Sequence, residues 1–309
     1  MSAGGGTGPP VAVGPGPAGW AADAIRRGGG EVVPLDRDPV GLVWTGGTEG
    51  LREVLTDHPG ISWVQLPSAG VEDVVQAGVI DRQRRWTSAK GAYAEPVAEH
   101  ALALALAGLR LLPRRIAARS WGRQGGTSLY EQPVAILGGG GITASLLELL
   151  APLRVTATVV RNRPDPVPGA ARTAGQAGLH DALADAQVVF LALALTPDTQ
   201  GIIGAAELAA MRRDAWLVNV ARGGVVDTDA LVAALTEGTI AGAALDVTEP
   251  EPLPDGHPLW GLENCIITPH TADTTEMVVP LLARRIQENV ARFAAGQPLV
   301  GVVDPSLGY

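Results

Sequence analysis

The 309-residue sequence predicts an α/β protein: a doubly wound parallel sheet joined to a second, smaller α/β domain. Three observations lead there. From residue 133 onward the apolar runs PVAILG, RVTATVV, QVVFLALAL, AWLVNVA, AGAALDV and CIITP lack polar alternation. Strands buried on both faces read this way, and they belong to parallel sheets. Helix-like stretches at 141–151, 178–186, 204–212 and 228–236 separate several of those runs, as crossover connections require. Before residue 90 the runs are shorter and punctuated by Gly and Pro, which marks a separate small α/β unit.

Taken in order, VAVG (11–14), VVPL (32–35), GLVWTG (41–46), SWVQLP (62–67) and RWTSA (85–89) are expected strands, with helices at 48–57 and 71–78. Residues 96–121 read as one helix, opened by Pro96 and kinked or broken at Pro113. In the second domain, Asp227–Thr228–Asp229 offers an N-cap to the helix at 228–236. A final helix over 275–295 leaves that domain and packs back toward the first. The expected domains are therefore 1–95 plus 282–309, discontinuous in sequence, and 96–281. No solenoid-type repeat is visible.

Composition narrows the function classes. Lys and Arg number 23 against 32 Asp and Glu, a net charge of −9, which argues against a nucleic-acid or anionic-membrane surface. The single cysteine, Cys265, allows no internal disulfide and fits a reducing cytoplasm; on a strand it reads as core packing, not as a nucleophile. The opening MSAGGGTGPP lacks a basic region followed by an apolar one, so no signal peptide is expected. ALALALAGLRLL (101–112) is too short to span a bilayer and contains Arg110. The expectation is a soluble cytoplasmic protein. No His/Cys spacing suggests zinc, so no metal is expected.

GGGGIT (138–143) follows the strand VAIL directly and opens a helix. Glycines there let backbone N–H groups approach a pyrophosphate, and the helix N-terminus supplies a favourable dipole. Gly138 and Gly140 take the first two glycine positions of the dinucleotide fingerprint, with Gly141 and Ile142 following. Thr143 stands at the third and is expected to loosen helix–strand packing. The alternative is a merely flexible turn. The next strand ends VVRNRP (159–164), with no acid before Asp165 to hold ribose hydroxyls. Arg161 and Arg163 instead offer guanidinium donors suited to a 2′-phosphate, so NADP is preferred over NAD. Otherwise they are two solvated surface arginines.

Three more strand ends carry the chemistry: LVNVARGG (217–224), LDVTEPEPLP (245–254) and TPH (268–270). Ligands of open α/β sheets sit beyond the carboxyl ends of strands, which puts Arg222, Asp246, Glu251 and His270 on one rim. A 2-keto acid suits that set. Its carboxylate wants a permanently charged bidentate fork, and Gly223–Gly224 clear space beside it. Its carbonyl, receiving hydride, needs a proton from a group titrating near neutrality, such as histidine. A carboxylate beside the histidine stabilises imidazolium; Glu251 is the candidate and Glu249 the alternative. Equally, Arg222 could be a structural ion-pair partner and His270 a capping histidine. His58 and His180 read as surface residues, His100 lies on the 96–112 helix, and His257 lies in a turn.

At this point the sequence resembles the D-isomer-specific 2-hydroxyacid dehydrogenase family. The matching stretches are SAGVEDV (68–74), YAEPVAEHALALALA (93–107), GGGGI (138–142), LALTPDTQGIIG (193–204), LVNVARGGVVD (217–227), GAALDVTEPEPLP (242–254), HPLW (257–260) and TPHTA (268–272). The resemblance implies a central Rossmann domain and a smaller, flavodoxin-like lid domain. It implies that Arg222 binds the substrate carboxylate, His270 is the acid/base, and Glu251, directly before Pro-Leu-Pro, is its partner. Asp246 and the Ala221 carbonyl would hold the nicotinamide carboxamide, and Thr196 lies on the cofactor side. Ser68, Ala69 and Gly70 would meet the substrate from the lid. Independently of the resemblance, the strand-end residues Trp44, Thr45, Gly46 and Leu66 are expected to line the lid side, and Trp44 could equally be core. The family implies a homodimer formed through the central domain. Departures are Thr143 for glycine, Ala194 where Pro is common, and the missing acid after the second strand; they bear on cofactor choice more than on the reaction. An acidic Glu251 argues against a formate-dehydrogenase-like member.

The expected activity is NAD(P)H-dependent reduction of a small 2-keto acid, glyoxylate or hydroxypyruvate. The rival is an NAD(H)-sensing partner-binding protein on the same scaffold, like the C-terminal-binding corepressors; those keep the same residues, but no long disordered tail is evident here. Methyl transfer with an adenosyl cofactor would leave Arg222 and His270 unexplained.

Overall fold

The structure, a computed structural model, describes residues 8–304. The first residues of the segment judged not to be a signal peptide, 1–7, and the tail 305–309 of the expected first domain lie outside the described residues. The chain divides into two compact units, one up to Tyr93 and again from Thr274, the other Ala94–Asp273. The sequence reading put those divisions at 95/96 and 281/282. The later one moves because the helix Thr275–Ala294 is unbroken and goes with the first unit as a whole.

In the first unit, β1 (Pro10–Gly14), β2 (Glu31–Val32), β3 (Gly41–Trp44), β4 (Trp63–Gln65) and β5 (Arg85–Thr87) pair in parallel in the order β2-β1-β3-β4-β5. This is the flavodoxin-like order. Helices α1 (Gly19–Arg27), α2 (Leu51–Asp57) and α3 (Glu72–Gln76) connect the strands. Leu42, Trp44, Leu51, Val64, Leu66 and Trp86 are buried in its core. The C-terminal helix packs on α1 and lays Phe293 against Trp63, ring centroids 5.2 Å apart. Its buried Asn289 donates to Gln65 Oε1 at 2.8 Å and to Val300 O at 2.9 Å, so no polar atom is stranded there.

The second unit opens with α4 (Ala94–Leu109) and α5 (Leu112–Ala117). The single helix expected over 96–121 is thus two. The break comes at Leu111, whose φ of 55° is left-handed, and Pro113 falls in the first turn of α5, where its missing N–H costs nothing. Then follow β6 (Pro133–Leu137), α6 (Gly141–Leu150), β7 (Thr156–Val160), β8 (Arg172–Ala174), α7 (Leu179–Asp185), β9 (Val188–Leu191), α8 (Ala205–Ala210), β10 (Trp216–Asn219), α9 (Thr228–Glu237), β11 (Gly242–Leu245) and β12 (Cys265–Ile267). All pair in parallel in the order β12-β11-β10-β9-β6-β7-β8, a Rossmann-like doubly wound sheet. The polar edge strand β8 has no apolar run to announce it. The run QVVFLALAL is strand only to Leu191; Leu193 and Leu195 beyond it pack on the core as loop residues. Asp227 Oδ1 accepts the Ala230 N–H at 3.0 Å and caps α9. None of the described helices is long and apolar enough to cross a membrane.

Register matters for the site. Leu137, Leu191, Asn219, Leu245 and Ile267 are aligned across neighbouring strands. The segments leaving β6, β9, β10, β11 and β12 therefore emerge along one edge, and the strand order reverses between β6 and β9. That is where this architecture opens a ligand crevice.

Candidate active site

The turn after β10 is built by Asn219. Its Oδ1 accepts the Ala221 N–H at 3.0 Å and its Nδ2 donates to Arg222 O at 2.9 Å. Buried between strands, the amide clamps both sides of Ala221 and leaves Arg222 extended at φ −144°, ψ 150°. The Arg222 guanidinium donates to Ala221 O at 2.8 Å, so that carbonyl is engaged by its own neighbour. Gly223 does not open space beside Arg222, as the sequence suggested. A Cβ there would lie 1.9 Å from Thr248 O and 2.0 Å from Thr248 C. The glycine admits the backbone of the loop after β11. At Gly224 a Cβ would meet the Leu195 methyls at 3.3 and 3.5 Å and the Glu249 carboxylate at 3.8 Å, all side-chain ends.

That adjacent loop starts with Asp246, whose carboxylate is buried. Oδ1 accepts from Thr268 Oγ1 at 2.6 Å and Thr271 N at 2.9 Å; Oδ2 accepts from Ala272 N at 3.0 Å. His100 on α4 places Nε2 3.3 Å from Oδ1 and 3.1 Å from Thr268 Oγ1. Burial alone would raise the Asp246 pKa, but the hydrogen bonds from His100, Thr268, Thr271 and Ala272 outweigh it and hold it at about 2. Asp246 thus fixes the shape of the 268–272 loop. His100, read from the sequence only as a residue of its helix, is part of this network. An isolated histidine in the apolar stretch AEHALALALA was the available signal.

His270 is held within that frame. Its N–H donates to Asp246 O at 2.8 Å, and its φ of 48° is left-handed, a conformation a non-glycine residue adopts only under such constraint. Its Nδ1 lies 2.6 Å from Glu251 Oε1, with both side chains roughly half exposed. Glu251 Oε2 also takes the Thr248 N–H at 3.4 Å. Of the two candidate glutamates, Glu251 meets the imidazole; Glu249 gives its carbonyl to Thr228 Oγ1 at 2.7 Å. Asp273 ends the loop half-buried. Burial raises its pKa, the His270 and Arg222 charges oppose that, and Asp246 adds to it. Nothing in the sequence singled out Asp273. Cys265 is a free thiol pushed up to about 12 by burial, and so is protonated.

On the β6 side, Gly138 adopts φ 112°, and a Cβ would lie 2.2 Å from Ala192 O. Gly140 is extended, with nothing within 4 Å of a Cβ position, and α6 starts behind it without a side-chain cap. Its first-turn amides can accept an anion. Gly141 and Ile142 are the first residues of that helix. Thr143 does not loosen the packing, contrary to expectation: it is fully buried, and its hydroxyl donates to Gly138 O at 2.9 Å, closing the turn. Arg161 lies over the glycines, since a Cβ at Gly139 would come 2.9 Å from its Cδ and Nε. Arg163 is exposed. Thr196, in the loop after β9, donates its N–H to Thr199 Oγ1 at 2.7 Å. These features fit a nicotinamide dinucleotide: backbone room, helix amides and a guanidinium at one turn.

The remaining candidates belong to the first unit. Ser68 Oγ donates to Gly70 O at 2.6 Å, Ser68 and Ala69 are exposed, and Gly70 is partly so. Of the two readings open for Trp44, lid-lining or core, the structure has the second: it is a core residue, 1% exposed. Its ring fills the space over Gly14 and its indole N–H is satisfied by Gly47 O. Leu66 is buried likewise.

Residues 100–272, more than half the chain, match the family model of the D-isomer specific 2-hydroxyacid dehydrogenase, NAD binding domain. The chain belongs to this dehydrogenase family. An uncharacterized protein of the proB 3′ region of Corynebacterium melassecola is 40% identical over 93% of this chain and 95% of its own length. A D-isomer specific 2-hydroxyacid dehydrogenase from Xanthobacter autotrophicus Py2, solved with NADPH and MES, superposes with a TM-score of 0.84 at 29% identity, covering 98% of this chain and 100% of that one. The NADPH-dependent glyoxylate/hydroxypyruvate reductase of Sinorhizobium meliloti, solved with NADP and sulfate, gives 0.81 at 26% identity over 97% and 100%.

Proposed function

We propose that this member of the 2-hydroxyacid dehydrogenases reduces small 2-keto acids of the glyoxylate and hydroxypyruvate kind, with NADP preferred over NAD. The observation that carries the reading is the 2.6 Å His270–Glu251 pair on the strand edge that also delivers Arg222. The Sinorhizobium reductase, similar over nearly the whole chain, supports the substrate class.

In this reading Arg222 holds the substrate carboxylate by a two-pronged, permanently charged contact. With Nδ1 directed at Glu251, the other ring nitrogen, Nε2, is the one that gives its proton to the carbonyl oxygen. Glu251 stabilises the imidazolium before transfer and fixes the ring. When bound, the nicotinamide supplies the hydride that reaches C2. Gly138, Gly140, Gly141, Ile142 and Thr196 would hold the dinucleotide. Arg161, with Arg163 beside it, would take the 2′-phosphate. Asp246 and the Ala221 carbonyl would lie on the carboxamide side. Ser68, Ala69 and Gly70 are proposed substrate-binding residues.

A homodimer through the central unit is also proposed. Support comes from its exposed apolar side chains Ile116, 78% exposed, and Trp121, 96% exposed. The deciding experiment follows nicotinamide absorbance over a keto-acid panel with NADH and NADPH in parallel. Turnover of glyoxylate or hydroxypyruvate, faster with NADPH, is expected; no turnover with either cofactor overturns the reading.

A further inference from the structure

We propose that Asp273 is a specificity-determining residue that restricts the site to 2-keto acids bearing a single negative charge. The inference rests on the keto-acid reading and names its substrate class more closely.

β10, β11 and β12 end in register at Asn219, Leu245 and Ile267. Adjacent strands are about 4.8 Å apart, so the segments that leave them share a small area. Across residues 220–275, Arg222 is the only lysine or arginine, against nine aspartates and glutamates. One guanidinium can match one substrate carboxylate; a second anionic group finds no further lysine or arginine in this span. Two of the nearby acids are already committed. Asp246 is buried beneath its donors, and Glu251 is 2.6 Å from His270 Nδ1.

Asp273 differs from both. It is half-buried at the end of the loop that presents His270. The two residues before it donate their N–H groups to Asp246 at 2.9 and 3.0 Å, so the loop cannot swing it aside. Its charge interacts with those of Arg222 and His270, the two groups assigned to the substrate. A carboxylate in that place accepts a hydrogen bond from a hydroxyl substituent and tolerates an apolar one. It repels a second carboxylate or a phosphate, because like charges brought together with little water between them are costly.

The test uses a matched pair: 2-oxobutyrate and oxaloacetate share a four-carbon chain and differ in a terminal methyl or carboxylate. kcat/KM is measured for both with saturating NADPH in the wild-type protein, Asp273→Asn and Asp273→Ser. The wild type should favour 2-oxobutyrate, and both variants should raise the oxaloacetate-to-2-oxobutyrate ratio roughly tenfold or more. Asp273→Glu should keep the wild-type preference. A ratio that moves less than about twofold in both neutral variants overturns the proposal. Calorimetric binding of oxalate and oxamate to the NADP+-loaded protein reads the same selectivity without turnover, and oxalate should gain on oxamate in the neutral variants. A wild-type protein that turns over no keto acid refutes the keto-acid reading, while the oxalate-to-oxamate ratio still judges Asp273: no change in it overturns the assignment.

Discussion

Gly223→Ala is a one-carbon change that should injure the active site from outside it. The added Cβ would stand 1.9 Å from Thr248 O, 2.0 Å from Thr248 C and 2.5 Å from Glu249 N. All three are backbone atoms, and real Cβ atoms essentially never come within 3.0 Å of such neighbours. The loop after β11 must therefore retreat by about 1 Å, and Glu251 and its hold on His270 go with it; a displacement of that size can cost about 10²-fold in rate. Overpacking of this kind costs about 1–3 kcal/mol of stability. Gly224→Ala is the control. Neither glycine has a positive φ, and at Gly224 the Cβ meets only side-chain ends, those of Leu195 and Glu249, at 3.3 Å or more. Its expected stability change is within about 0.5 kcal/mol. Urea denaturation and steady-state kinetics on hydroxypyruvate read both effects. If Gly223→Ala matches Gly224→Ala in stability and kcat, the loop contact does not position Glu251 and the reasoning is wrong.

Further expectations are simpler. Arg222→Lys replaces a fork by a point charge, and kcat/KM for glyoxylate should fall about 10–100-fold with NADPH affinity kept; unchanged efficiency removes the carboxylate clamp. Asp246→Asn should cost about 2 kcal/mol near neutrality, since the native pKa is about 2 against an ordinary 3.8. Because that pKa is depressed, the contribution is present above the unfolded-state value and is lost as pH falls through the native one, so the gap between wild type and variant in acid denaturation should close toward pH 2. A constant gap would mean that Asp246 is not ionised in the fold. Arg161→Ser should lower the NADPH-over-NADH ratio of kcat/KM roughly tenfold by removing a 2′-phosphate donor, and an unchanged ratio would return Arg161 to the solvated surface.

Much of this was legible in the sequence. Continuously apolar strands with a glycine turn after the first of them specify a doubly wound sheet, and flush strand ends then place Arg222, Asp246 and His270 on one edge. What escaped was whatever depends on side-chain reach across elements. His100 contacts Asp246 from a helix remote in sequence, and only packing of α4 on the sheet brings them together. Trp44 sits at a strand end, where the sequence leaves a ligand-facing and a core position equally open, and its area is spent in the core. Thr143 broke the glycine pattern, but its hydroxyl found the Gly138 carbonyl. Gly223 carried the right signal of a close approach and the wrong visitor, since glycine alone does not say whether ligand or backbone will come near. Asp273 had no motif; its position follows from the three residues that Asp246 ties down before it.

The most direct measurement of the central claim is single-turnover reduction of hydroxypyruvate by His270→Asn, with NADPH binding followed by calorimetry on the same sample. The account predicts native-like cofactor affinity and a chemical step slowed by about 10²–10⁴-fold, the range lost with a general acid. A chemical step that keeps its wild-type rate would place the proton donor elsewhere and contradict the assignment.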